Sequence, residues 1–225
     1  MSRDFFGPIP VVSGLQFARD VLLLDDCEGT CAWTKNAIDA NATVTFETAA
    51  AFAGVAGLQL YSGNADPEMN DYVTATRSLS YPEVGLLVAR CRLAIPTLAT
   101  LGSLDLILQA WDGAHEYYGT LRLDPNTPKT SYGGADGNWH TLADLAYTPY
   151  AGAWLTLELA VDVAAKKYLH AIYGGTKVDL STLALYDAGA QSERMSQVQL
   201  EATTAGAAAT TVYADNIYVG SNPEA

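Results

Sequence analysis

The chain has 225 residues, 49% of them hydrophobic and 16% charged, and a formal net charge of −13. That size allows a sizeable core in one large domain or two small ones, and the apolar content excludes a disordered protein. No apolar run reaches the ~18 residues of a membrane-spanning helix. The acidic balance also excludes a general binder of nucleic-acid backbones, which needs a basic face for counterion release.

Residues 1–20 read as an extended arm. They carry Phe5, Phe6, Ile9, Val11, Val12, Leu15 and Phe17, while Pro8 and Pro10 prevent a helix. The same prolines and Gly7 interrupt the apolar stretch that a secretory signal needs, so the expectation is a chain that stays where it is made or leaves the cell by another route. An apolar arm with little of its own to bury against is expected to meet a partner through Phe5, Phe6, Ile9 and Val11. Lying along its own domain is the alternative.

From residue 21 onward the dominant signal is period-two alternation. Strands are predicted at Val21–Leu24, Thr43–Thr48, Gly57–Tyr61, Tyr72–Leu79 and Gly85–Leu93. Leu104, Leu106, Leu108 and Ala110 then alternate with Ser103, Asp105, Gln109 and Trp111, and a further strand follows at Tyr117–Leu123. The run Leu155, Leu157, Leu159, Val161 and Val163 is a half-buried strand, followed by Lys167–Tyr173, Gln197–Thr203 and Thr211–Val219. Turn clusters separate them, among them Ser62-Gly-Asn-Ala-Asp-Pro, Gly133-Gly-Ala-Asp-Gly-Asn and Gly174-Gly175. No segment keeps a 3.6-residue apolar period, and Ala49–Ala53 and Ala205–Ala209 read as turns or single helical turns. About eleven antiparallel strands in residues 21–225 predict an all-β, two-sheet jelly-roll sandwich in a single domain.

Three cysteines are too few for a disulfide scaffold. Cys91 shares its parity with Leu87, Ala89 and Leu93, which predicts a buried free thiol. Cys27 and Cys31 would lie ~13 Å apart on a straight strand. A turn at Gly29 brings them within disulfide range, and two free thiols is the other reading.

The landmarks Asp25-Asp26-Cys27-Glu28, Trp33, Gly54-Val-Ala-Gly57-Leu-Gln-Leu60, Gly152-Ala-Trp154 and Val212-Tyr-Ala-Asp215-Asn216-Ile217-Tyr-Val219 follow one another in this order. The series resembles the concanavalin A-like, laminin-G-like jelly-roll class over roughly residues 21–220. The resemblance implies two curved antiparallel sheets, often with a sugar site on one face or on rim loops, and sometimes a structural calcium. Similar sandwiches also serve as viral capsid, cement and fibre domains.

Catalysis is not expected. Glu158 and Asp162 share a strand face, but four residues put their Cα atoms ~13 Å apart, too far for a glycosidase pair. There is no G-x-S-x-G elbow, and His115, His140 and His170 are dispersed. No cofactor is expected, with calcium the one ion to weigh. Asp25, Asp26 and Glu28 end the first strand and Asp215 lies on the last, so pairing of those strands would gather hard oxygen ligands. Asp66, Glu68, Asn70 and Asp71 form a second acidic loop, and Asp124, Asn126 and Asp136 a third. Solvated turns explain all three equally well.

Opposite the presumed core lie Arg90 and Arg92, then Asp105, Gln109 and Trp111, then Glu116, Tyr118 and Arg122. If these three strands are neighbours, they form a face of aromatic, guanidinium and carboxamide groups. Such a face suits a sugar, a protein partner, or plain solvent with cross-strand Arg–Asp pairs. Trp139 is a further exposed-aromatic candidate. The expectation is a non-catalytic structural protein of a phage virion, made in the host cytoplasm. It would be a capsid cement or decoration protein or a tail or fibre component, contacting copies of itself or a capsid or tail protein. A carbohydrate-binding module or lectin taking surface glycans is the alternative, and a glycoside hydrolase a third.

Overall fold

The computed structural model describes residues 21–63, 70–79, 85–112, 114–125, 127, 129–143, 149–191 and 196–221. The predicted partner contacts Phe5, Phe6, Ile9 and Val11 lie outside the described residues, as do Asp66, Glu68 and Asn126.

Sixteen strands form among the described residues, the longer ones from alternating apolar and polar side chains. In the first half these are β1 (Val21–Asp25), β2 (Thr34–Ala37), β3 (Thr43–Glu47), β4 (Gly57–Tyr61), β5 (Tyr72–Leu79), β6 (Leu86–Ala94), β7 (Leu101–Trp111) and β8 (His115–Asp124). The second half contains β9 (Lys129–Gly133), β10 (Trp139–Leu142), β11 (Leu155–Asp162), β12 (Lys167–Tyr173), β13 (Thr176–Asp179), β14 (Tyr186–Ala190), β15 (Ser196–Thr204) and β16 (Thr211–Gly220). The first sheet runs β13-β12-β11-β6-β16-β4-β3, with β1 also on β16, and the second runs β10-β9-β8-β7-β15-β5-β2, with β14 also on β8. The strand pairings are all antiparallel among the described residues, and the two sheets stack as a sandwich.

The core lies between the sheets. From the first come Leu58, Leu60, Ala89, Cys91, Leu93, Leu157, Leu159 and Val212; from the second come Val73, Leu104, Leu106, Leu108, Leu121, Val198 and Leu200. At one point the sheets approach so closely that a Cβ on Gly119 of β8 would lie 2.6 Å from Cγ1 of Val161 on β11. Only glycine fits there. Nearby, β14 covers β8 as far as Tyr118 and β9 takes over at Leu121, which leaves the Thr120 amide between two partners. The fully buried Tyr168 of β12 fills that gap from the opposite sheet: its hydroxyl accepts from Thr120 N at 3.0 Å and donates to Gly133 O at 2.7 Å.

The expected strands form, and five more join them: β2, β9, β10, β13 and β14. Each has four or five residues and lies at a sheet edge or beside one, and all but β9 are exposed along much of their length, so their sequences carry little alternation. The Ala49–Ala53 segment contributes a single 3₁₀ turn at Thr48–Ala50. Among the described residues no helix is long and apolar enough to cross a membrane. Cys27 and Cys31 form no disulfide; both are free, Cys27 buried and Cys31 half-buried. Cys91 is a buried free thiol, pushed up to about 12 by burial.

Candidate functional site: a polar grid on the second sheet

The outward side of the second sheet is polar, and antiparallel register arranges it in rows that cross the strands. One row reads Thr141, Ser131, Arg122, Asp105, Glu201, Thr74 and Asn36 across all seven strands of the main path. Two residues along each strand, about 7 Å away, the next contains Thr120, Ile107, Gln199, Thr76 and Thr34. A third contains Tyr186, Tyr118, Gln109, Gln197 and Ser78.

Hydrogen bonds within and between the rows fix these side chains. Arg122 grips Asp105 through its Nε–Nη2 edge, Nε to Oδ1 at 2.8 Å and Nη2 to Oδ2 at 2.6 Å. Burial raises the Asp105 pKa above the usual carboxylate value, although the Arg122 guanidinium opposes the shift. Gln109 donates to Glu116 and to the Tyr118 hydroxyl, the latter at 2.8 Å, and Tyr118 donates to Glu116 Oε1 at 2.7 Å. Burial and that carboxylate push the Tyr118 phenol well up. Gln199 donates to Gln109 Oε1 at 2.6 Å and Gln197 Oε1 at 3.2 Å, and Thr74 donates to Glu201 Oε2 at 2.9 Å.

Aromatic rings flank the grid. The guanidinium of Arg122 lies 3.7 Å from the ring centre of Trp139, which stays 43% exposed at the start of β10. Tyr186 is 37% exposed, and its ring centre lies 6.2 Å from that of Tyr118. Planar rings, carboxamides and fixed carboxylates on one face stack on C–H groups and bond hydroxyls in defined directions.

Of the sequence candidates, Gln109, Tyr118 and Arg122 come together here with Asp105 and Glu116. Trp111 shares their parity and pairs with Glu116, but it is buried and presents no open ring. Arg90 and Arg92 do not join this face, because β6 belongs to the first sheet. The contiguous three-strand face expected from the sequence is therefore split across opposite sides of the sandwich, since parity gives a strand's two faces but not its sheet. On the first sheet, Arg90 Nε donates to Glu158, which is 1% exposed and also lies 2.6 Å from His170 Nε2. Burial would raise Glu158, yet His170 and Arg90 outweigh it and hold the carboxyl below its ordinary value. The Arg92 guanidinium lies 5.1 Å from the Phe52 ring centre. Sequence reading missed Glu201, Gln197 and Gln199 as site members; their polar parity on one alternating strand was the available signal.

The calcium candidates do come close, since β1 pairs with β16 and sets Asp25 opposite Ile217. Their oxygens nonetheless face donors. Asp215 Oδ2 accepts from Phe52 N at 2.8 Å and Ala53 N at 3.0 Å, and Oδ1 accepts from Asn216 N at 2.6 Å. Asp25 accepts from Cys27 N and from Trp33 Nε1, both at 2.9 Å. Glu28 Oε1 accepts from Val55 N at 2.6 Å, and Asp26 Oδ1 accepts from Glu28 N at 3.3 Å. These carboxylates are engaged by backbone amides and an indole N–H, and among the described residues no group of three ligating side chains is arranged for a metal. In the third acidic loop Asp124 accepts from Thr127 N and Asp136 from Asn138 N, which are turn contacts.

No protein-family model matches this sequence, and no curated protein matches it significantly. Among solved structures, it is similar to the cellulose-induced protein Cip1, at 16% identity over 89% of this chain and 97% of that one, with a TM-score of 0.56. It is similar to the carbohydrate esterase of Shiga toxin-encoding bacteriophage phi24B, at 14% identity over 90% and 98% of the two chains, with a TM-score of 0.55. A structure of carbohydrate-binding modules from the β-sandwich superfamily gives 14% identity and a TM-score of 0.52, over 90% of this chain and 63% of that one. At such identities the likeness speaks for fold. Together with the two antiparallel sheets, it makes this chain a jelly-roll β-sandwich of the concanavalin A-like fold.

Proposed function

We propose that this chain is a non-catalytic glycan-binding sandwich that holds a sugar chain on the polar grid of the second sheet. The observation that carries the reading is Trp139, 43% exposed and stacked on Arg122 at the end of hydrogen-bonded rows. An open aromatic beside convergent polar groups is the usual composition of a small-ligand site. Three structures of similar fold, described as a cellulose-induced protein, a carbohydrate esterase and carbohydrate-binding modules, support it further. The non-catalytic part rests on the acids. Asp105 is held by two N–H groups of Arg122, Glu116 by Gln109 and Tyr118, and Glu158 lies on the other sheet under Arg90 and His170.

Affinity electrophoresis through gels carrying soluble polysaccharides, backed by a glycan array, tests the proposal. At least one polysaccharide should retard the protein, and Trp139→Ala should weaken that binding by about tenfold, a typical loss for an aromatic anchor. Retardation by none, or unchanged binding in Trp139→Ala, would defeat it.

Membership of a phage particle is a second reading, favoured by the likeness to a phage protein along 98% of that protein's chain. There the same grid would face host-surface glycans. Removing residues 1–14 should abolish incorporation into particles while the sandwich stays folded; normal incorporation would dismiss the arm as the docking element.

A further inference from the structure

The charges on the grid are unequal in sign. The three rows, together with Glu116 two residues along β8 from Tyr118, bear three carboxylates, Asp105, Glu116 and Glu201, and one guanidinium, Arg122; at intervening positions Lys35 and Arg77 donate to the Ala42 and Ala32 carbonyls, and Asp187 lies against His115. Asp124 and Lys129 face one another at the margin. Arg122 spends its Nε–Nη2 edge on Asp105, and Trp139 covers the guanidinium face at 3.7 Å. Its charge is therefore offset by the Asp105 carboxylate before any acidic ligand arrives. Glu116 accepts from Gln109 and Tyr118 and Glu201 from Thr74, so the donors that bond both carboxylates are neutral. Gln109, Gln197 and Gln199 lie between them with linked amides, which suits hydroxyl ligands.

Resting on the glycan-binding reading above, we infer that the grid selects uncharged polysaccharides and rejects acidic ones, with Glu116 and Glu201 as the discriminating residues. A uronate or sulfate ester lying on the rows would sit within one or two strand spacings, about 5–10 Å, of these carboxylates. The one guanidinium within the rows, Arg122, already offsets Asp105. Repulsion placed against an unwanted ligand is a normal source of specificity.

The test uses the full chain against dextran, β-glucan, mannan and galactan, each compared with its own sulfated derivative so that the sugar backbone is constant. The sulfated form of whichever polysaccharide binds should bind more weakly by about tenfold or more at low salt. That gap should close as salt screens the repulsion over about a Debye length. In the Glu116→Gln/Glu201→Gln double variant the gap should narrow at low salt. Equal or tighter binding of the sulfated form overturns the inference, as does a gap that ignores both salt and the double substitution. Should the double variant not fold, the salt series on the unaltered protein decides alone. Binding of neither form of any of the four would instead refute the glycan-binding reading itself, a different and recognisable result.

Discussion

Arg122→Met should destabilise the protein by about 3 kcal/mol, and the loss should shrink as pH falls. Asp105 is 2% exposed and its bidentate partner disappears, leaving a buried carboxylate without its counter-charge. For a fully buried pair that costs about 3–5 kcal/mol. The Arg122 side chain is 28% exposed, so water reaches the vacated end and about 2 kcal/mol is the better figure. Loss of the stack on Trp139 adds about 0.5–1 kcal/mol. At about 2–4 °C per kcal/mol for a chain of this size, Tm should fall by about 6–12 °C. The pH dependence follows from Asp105, whose folded pKa is raised by burial despite Arg122 and rises further once Arg122 is gone. A carboxylate with a raised folded pKa opposes folding when ionised. That penalty is absent below the unfolded value near ~3.9, grows as pH rises through the folded value, and is complete above it. Thermal melts of wild type and variant from acidic to neutral pH should therefore converge on the acid side. Adding Asp105→Asn should recover part of the loss at neutral pH. A double variant no more stable than Arg122→Met, or a difference that widens on acidification, would refute the reasoning.

Glu158→Gln should cost about 1–3 kcal/mol at neutral pH, because the Glu158 carboxylate accepts from Arg90 and lies against His170 while almost wholly buried. His170 and Arg90 depress its folded pKa against the opposing effect of burial, so its stabilisation is present above the unfolded value near ~4.3 and is lost as pH falls through the folded one. Melts should show wild type and variant drawing together in acid, and a constant difference would contradict this. Asp215→Ala should cost about 2–4 kcal/mol by releasing the amides of Phe52, Ala53 and Asn216, with faster hydrogen exchange at residues 52 and 53 as the local readout. EDTA should leave the wild-type melting curve unchanged, since those amides occupy the carboxylate where a cation would have to bind; a clear drop in Tm would reinstate calcium.

The long strands were legible because each has one face in the core. Leu104, Leu106 and Leu108 on β7 and Leu155, Leu157 and Leu159 on β11 alternate with outward residues, and burial makes that period visible. Short strands at or near the edges, such as β13 and β14, bury little, so nothing in their composition separates them from loops. The Cys27–Cys31 spacing permitted a bridge, but the chain places Cys27 inside the core and Cys31 near the Val44 carbonyl, which keeps both as thiols.

The sequence by itself determined an all-β sandwich and the sides of β7 and β8 that turn outward. Those properties depend on local period. Which sheet each strand joins was decided only by the tertiary structure. Arg90 and Arg92 share the outward parity of Arg122, yet they lie on the opposite side of the molecule because β6 pairs with β11 and β16. The grid likewise exists only through register: Arg122, Asp105, Glu201 and Thr74 are distant in the chain and become one row because antiparallel hydrogen bonding aligns them. Side-chain parity is a property of each strand alone, whereas neighbourhood across strands is fixed by long-range pairing.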